Sequence, residues 1–230
     1  KLAGSLLRNS YDLTVRDLDR EAARQFLDAG AAWADSPREM AEACDVVVTC
    51  LPSPAACSTV MEADDGILAG LSAGKVWMEM STTDEAEVRR MGELVRATGA
   101  QPVDCPVSGG CHRAATGNIS IFVGGERAAF EKVLPVLTAM GRQILHTGPL
   151  GSASVLKVVT NYLASANLVS LAEALILSTR LGRLLQGYRA MPPRDLNALA
   201  LLLVRVGQIA RRLWRDGELT GYPRKRGKRP

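Results

Sequence analysis

Lys157 and Asn161 stand four residues apart in the run Gly148-Pro-Leu-Gly151-Ser-Ala-Ser-Val-Leu-Lys157-Val-Val-Thr-Asn161. If that run is helical from Ser152, both side chains lie on one face with Cβ atoms roughly 6 Å apart. An amine and an amide then reach the same oxygen. Upstream, Pro106-Val-Ser108-Gly109-Gly110 forms a turn whose backbone N–H groups carry little steric cover, which suits a carboxylate or another anionic end of a small molecule. Together the pieces describe a site for a hydroxy acid. In most proteins a lysine and an asparagine on one helix face are solvated surface. The neighbourhood argues otherwise here, because residues 162–177 are mostly apolar, broken chiefly by Asn167, Ser170 and Glu173, and so predict a largely buried helix. Desolvation lowers a lysine's pKa toward neutrality and fits it to exchange a proton with an alcohol or carbonyl oxygen.

These groups need a scaffold, and the stretch up to about residue 139 alternates short β-branched runs with helix-length stretches. That is the pattern of a doubly wound parallel sheet in an α/β domain. Strands are expected over 12–16, 46–50, 76–79, 101–104 and 118–123. Helices are expected over 19–29 with Asp19 as N-cap, over 36–43 opened by Ser36 and Pro37, after Leu51-Pro52 toward Met61, from the Ser81-Thr82-Thr83 turn to about residue 97, and over 126–139. In such sheets ligands lie beyond the carboxyl ends of the strands, which here carry Asp17, Leu51-Pro52, Ser81-Thr82 and Ser108. Asp17 is placed either to start a turn or to accept both ribose hydroxyls of an adenosine; the second reading favours NAD over NADP, since a carboxylate repels a 2′-phosphate.

A dinucleotide fold opens with a strand and a G-x-G-x-x-G turn that lets the pyrophosphate approach a helix N-terminus. This sequence begins instead at Lys1-Leu-Ala-Gly-Ser-Leu-Leu, already inside the expected first helix, so the sheet is expected to lack its first strand and the domain its phosphate cradle. The first residue is Lys rather than Met, consistent with a reading frame that begins upstream.

Composition narrows the class. The chain has 230 residues, 47% hydrophobic and only 4% aromatic, which supplies an aliphatic core and argues against base-stacking platforms. The five cysteines, odd in number and without a C-x-x-C pair, read as reduced thiols of a cytoplasmic protein. Cys105, Cys111 and His112 have no common metal-ligand spacing, so no metal is expected. No uninterrupted apolar run of about 20 residues occurs, and the stretch 196–204 is short and followed by Arg205, so no membrane span is expected.

The ordered set Asp104-Cys-Pro-Val-Ser108-Gly109-Gly110, Gly117, Gly124-Gly125 and Gly148…Gly151…Lys157…Asn161 resembles the β-hydroxyacid dehydrogenase family, to which 3-hydroxyisobutyrate dehydrogenase belongs, over about residues 1–181. The resemblance implies a Rossmann-type NAD-binding domain (1–147, truncated at its start) and an interdomain helix opening an all-helical domain (148–182). It implies that Asp17, Leu51, Pro52, Ser81 and Thr82 contact the nicotinamide cofactor, and that Ser108, Gly109, Gly110 and Asn161 hold the substrate. Lys157 then carries the catalytic proton, Asn161 orients the same oxygen, and the intact family forms homo-oligomers. Thr160 stands where 6-phosphogluconate dehydrogenases carry a histidine, and imine-reducing relatives replace the lysine, so the resemblance points to a small 3-hydroxy acid or its semialdehyde. Departures are Ala153 for a frequent glycine, Glu79 for an aspartate, and Cys111-His112 after the double glycine, which either alter the pocket or, as preferred here, face solvent.

Beyond about residue 181 the likeness stops, and residues 183–230 form a divergent tail. From Arg183 onward twelve Lys or Arg stand against three acidic residues, while the body is mildly acidic. Leu199, Leu202, Val206, Ile209 and Leu213 line one side of a basic amphipathic helix expected over 195–215, with a disordered basic end expected over 221–230. The tail reads as a helix packed on the body or as a nonspecific binder of an anionic membrane surface or nucleic acid. The competing functional reading is therefore a noncatalytic fragment that binds anionic partners through this tail.

Overall fold

The computed structural model describes the backbone of residues 1–180 and the side chains of residues 1–176. The chain divides into two compact units, 1–160 and 161–230. The basic amphipathic helix and basic end expected over 183–230 lie outside the described residues.

The first unit opens with α1 (Leu2–Arg8), β1 (Thr14–Val15), α2 (Arg20–Leu27) and β2 (Ala32–Trp33). β1 and β2 pair in parallel as a two-stranded sheet of their own. There follow α3 (Pro37–Ala43), β3 (Val46–Thr49), α4 (Pro54–Glu62), α5 (Ile67–Gly70), β4 (Val76–Glu79), α6 (Glu85–Ala97) and β5 (Gln101–Asp104). The helix starts read at Asp19 and Ser36 operate as expected, with both side chains accepting from amides of the first turns of α2 and α3; Ser53 and Asp84 do the same for α4 and α6.

The remaining elements are β6 (Val107–Ser108), α7 (Gly110–Ala115), β7 (Ile119–Gly124), α8 (Arg127–Met140), β8 (Gly141–Gly148) and α9 (Ser152–Arg180). The main sheet runs β3-β4-β5-β7-β6, with β8 pairing β7. It is mixed, which corrects the parallel sheet expected from sequence: β3, β4 and β5 are parallel, but β7 runs antiparallel to both β5 and β6. The physical reason is the short return between β6 and β7. A connection holding only α7 is too short to bring the chain back for a parallel strand, and it reverses direction instead. β8 regains parallel pairing because α8 supplies the long crossover.

Alternation along β4 splits the core between the two faces of the sheet. Val76 and Met78 join Val103, Ile121, Val123, Phe130 and Leu137 under α1 and α8. Trp77 joins Val47, Met61, Ile67, Met91 and Val95 under α3 to α6. All four residues of β4 are buried, as a central strand covered on both faces requires.

The long helix after Gly148 is present, but its expected burial is not. Tyr162, Leu168, Val169 and Ile176 are exposed, as are Val155, Val158 and Val159 near its start. Its apolar residues are spread around the axis rather than gathered on one stripe, so no single packed face covers them. The stretch Ser152–Ile176 is also long and apolar enough to cross a membrane by length and composition, with a mean hydropathy of 1.3. Scattered polar residues interrupt it, so it contains no unbroken apolar run of that length.

Candidate active site

The carboxyl ends of β3, β4 and β5 lie side by side, with Thr49 in register with Glu79 and Glu79 with Asp104. Each of these strands closes on a polar residue after buried or half-buried apolar ones, and all three of those closing residues are buried. Glu79 gathers its neighbours: the Thr49 hydroxyl donates to Oε2 at 2.6 Å, the Cys57 thiol donates to Oε2 at 2.9 Å, and the Ser81 amide donates to Oε1 at 2.6 Å. Trp77 Nε1 donates to Thr49 Oγ1 at 2.9 Å and completes a buried chain of donors. Burial, and then the neighbouring Glu79 carboxyl, push the Cys57 thiol well above its ordinary pKa, which keeps it a donor rather than a nucleophile.

This network fixes the two turns expected to face a cofactor. The Leu51 amide donates to Ser81 Oγ at 2.8 Å, so the turn after β3 and the turn after β4 are tied to one another and to Glu79. Pro52 follows Leu51 just before α4, and Thr82 is exposed beside buried Ser81. Asp17 is exposed two residues past β1; its Oδ1 accepts from the Asp19 amide at 3.0 Å, and among the described residues none bonds its other oxygen. Arg16 and Arg20 stack against the Trp33 ring nearby, at 5.4 and 4.9 Å from its centroid.

Ser108 is not in an open turn. It ends β6, opposite Ser120 of β7, and Gly109 and Gly110 leave the ladder directly into α7. Both glycines have positive φ, +134° and +79°, a region that L side chains rarely enter. A Cβ at Gly110 would meet only open space, so conformation alone calls for glycine there. Cys111 and His112 face solvent, as expected from sequence.

Lys157 is half-buried on α9, and burial lowers its pKa from the ordinary lysine value. Asn161, one turn further along the same helix, opens the second unit and is exposed. The start of α9 is held by Asp104, a role that sequence reasoning missed. Its Oδ1 accepts from the Gly151 amide at 2.8 Å, and its Oδ2 accepts from the Ser154 amide at 2.7 Å and the Ser154 hydroxyl at 2.9 Å. The signal was present in the sequence: Thr49, Glu79 and Asp104 are each the polar last residue of a strand, directly after an apolar one, and three such endings in one sheet make a polar row.

A doubly covered α/β sheet with its polar groups at the carboxyl ends of the parallel strands defines the class of dinucleotide-binding domains. The chain belongs to the family described as the NAD binding domain of 6-phosphogluconate dehydrogenase, whose model matches residues 1–148. It is 37% identical over 181 residues to the NAD-dependent L-serine dehydrogenase of Pseudomonas aeruginosa, covering 79% of this chain and 61% of that protein. It is 34% identical over 181 residues to the 2-(hydroxymethyl)glutarate dehydrogenase of Eubacterium barkeri, covering 79% and 60%. In structure it is similar to the 3-hydroxyisobutyrate dehydrogenase of Mycobacterium tuberculosis solved with L-serine, with a TM-score of 0.74 and 27% identity over 79% of this chain and 61% of that one. The chain thus spans about three-fifths of the length of these relatives.

The residues present fit part of a nicotinamide dinucleotide. The other carboxylate oxygen of Asp17 suits ribose hydroxyls, and the coupled Leu51 and Ser81 turns offer a fixed wall at the strand ends. No G-x-G-x-x-G occurs in the sequence.

Proposed function

We propose that this protein acts in hydride transfer between NAD and a small 3-hydroxy acid of the 3-hydroxyisobutyrate type, or reduces the matching semialdehyde. The observation that carries the reading is Lys157: a half-buried lysine whose charged form is disfavoured by desolvation, on a helix tied at its start to the strand that leads into Ser108, Gly109 and Gly110. A bound nicotinamide supplies the hydride acceptor. Lys157 Nζ, when neutral, accepts the hydroxyl proton of the acid, and in the reverse direction its ammonium returns that proton to the forming alkoxide. Asn161 orients the same oxygen. The amides of Ser108, Gly109 and Gly110 hold the carboxylate, a role supported by the positive φ of both glycines.

Asp17 supports NAD over NADP, because its other oxygen would meet a 2′-phosphate with like charge. Substrates with a short carbon chain are supported by the relatives, which act on L-serine and 2-(hydroxymethyl)glutarate. The exposed apolar residues of α9 support its being an interdomain helix covered by protein, as in a homo-oligomer.

The test is turnover of NAD with a panel of short 3-hydroxy acids, followed by absorbance of the reduced nicotinamide. Lys157→Ala is expected to lower the rate by about 100-fold or more. In the wild type the oxidative rate should rise with pH as Lys157 loses its proton, with a midpoint below that of an ordinary lysine. An unchanged rate in Lys157→Ala would overturn the assignment.

A further inference from the structure

α2, α3, α4 and α6 are capped by the residue directly before them, whereas the first turn of α9 is held by a carboxylate 47 residues earlier in the chain. Asp104 is fully buried, and among the described residues no cation pairs with it; three donors from α9 and its approach converge on its two oxygens instead. The surroundings are shaped for this contact. Gly124 stands in register with Asp104, and a Cβ there would collide with Asp104 Oδ1 and lie 2.9 Å from both the Pro149 carbonyl oxygen and Ser152 Oγ. Ser152 itself is hydrogen-bonded to Thr147 at 2.7 Å, and Thr147 donates to the Val123 carbonyl at 3.0 Å, so the approach to the helix is fastened on the β7 side as well. Ser154, which takes two of the three bonds, lies three residues before Lys157, one turn along the same side of the helix.

We propose that Asp104 is a positioning residue for Lys157: by pinning the first turn of α9 to the end of β5, it sets the amine relative to the Ser108-Gly109-Gly110 segment that follows β5 in the chain. This rests on the reading of Lys157 as the proton carrier. A carboxylate suits the task because it accepts from two amides that diverge at a helix start, where the backbone donors have no partners of their own and the helix dipole favours negative charge. An asparagine has the same size but only one accepting oxygen, so one of the two amides would face an NH2 group.

The experiment follows the Lys157 side chain by NMR in the whole chain carrying 13C-labelled lysine, with the resonance assigned through Lys157→Arg. In Asp104→Asn the Lys157 titration midpoint is expected to rise toward the ordinary lysine value as the helix start loosens and water reaches the amine. Amide exchange over residues 151–156 should accelerate on the order of tenfold. Ser154→Ala, which removes only the hydroxyl bond, should shift both readouts the same way by less. A purely structural cap would speed exchange and leave the Lys157 midpoint where it is, and that result overturns the proposal. So does a downward shift, the sign expected if Asp104 acted on Lys157 through charge alone. Should Asp104→Asn fail to fold, Ser154→Ala decides by the same criterion. Titration needs no turnover, so a wild-type chain without dehydrogenase activity would defeat the functional reading and leave this measurement standing.

Discussion

Glu79 and Asp104, at the ends of β4 and β5, are buried and held by neutral donors, whereas Glu62 of α4 and Glu87 of α6 lie at the surface and share Arg90. Both arrangements satisfy carboxylates, but they do different work. The surface cluster joins two helices through arginine, with Ser58 adding a bond to Glu87 at 2.6 Å, and its members keep part of their surface in water, Glu87 the least. Such pairs contribute little because water already solvates the separated charges. The buried row has no water to fall back on, so every donor around it depends on the one acceptor. Those donors belong to the two turns and the helix start that frame the candidate site. Precision at the strand ends therefore comes from groups that are costly to leave unpaired.

Removing an acceptor from the row should show this most strongly. Glu79→Ala leaves the Thr49 hydroxyl, the Cys57 thiol and the Ser81 amide without their partner, and is expected to cost about 3 kcal/mol of stability in urea unfolding. A loss no larger than that of a surface pair would erase the distinction between the two regions.

The surface cluster should answer to acid rather than to truncation. Hydrogen bonding to Arg90, then to Ser58, holds the Glu87 carboxyl down at about 2. Its folded pKa lies below the unfolded value, so its contribution is present above the ordinary carboxylate range and fades as the pH falls through that range toward 2. Arg90→Ala is expected to shift the urea midpoint several-fold less than Glu79→Ala at neutral pH, and to flatten the pH dependence of that midpoint between about 5 and 2. An equal shift at neutral pH would show that the cluster holds α4 and α6 together more firmly than exposed charges do.

Much of the scaffold could be read from the sequence because its signals are local. Strands over 76–79 and 101–104 are found where expected, and the caps at Asp19 and Ser36 follow from one side chain and the amides next to it. The direction of β7 was not legible, since α7 hides in Gly110-Cys-His-Arg, a run with no apolar period, and without that helix nothing marks the return as a reversal. β2 and β6, two residues each, are too short for any pattern to register. At the site, Lys157 and the double glycine stood out because their types and spacing carry chemistry. Asp104 did not, because its partners Gly151 and Ser154 are distant in sequence and the bond between them exists only in the fold. The burial of the long helix was misjudged for a related reason: an apolar sequence says what could be covered, and only the fold says what is.

The most direct test of the central claim is a crystal structure of the chain with NAD and a short 3-hydroxy acid. Lys157 Nζ is expected within about 3.2 Å of the acid's hydroxyl oxygen, with the carboxylate received by the amides of Gly109 and Gly110. An acid bound with its hydroxyl away from Lys157, or with its carboxylate on a surface other than the Ser108-Gly109-Gly110 segment, would contradict it.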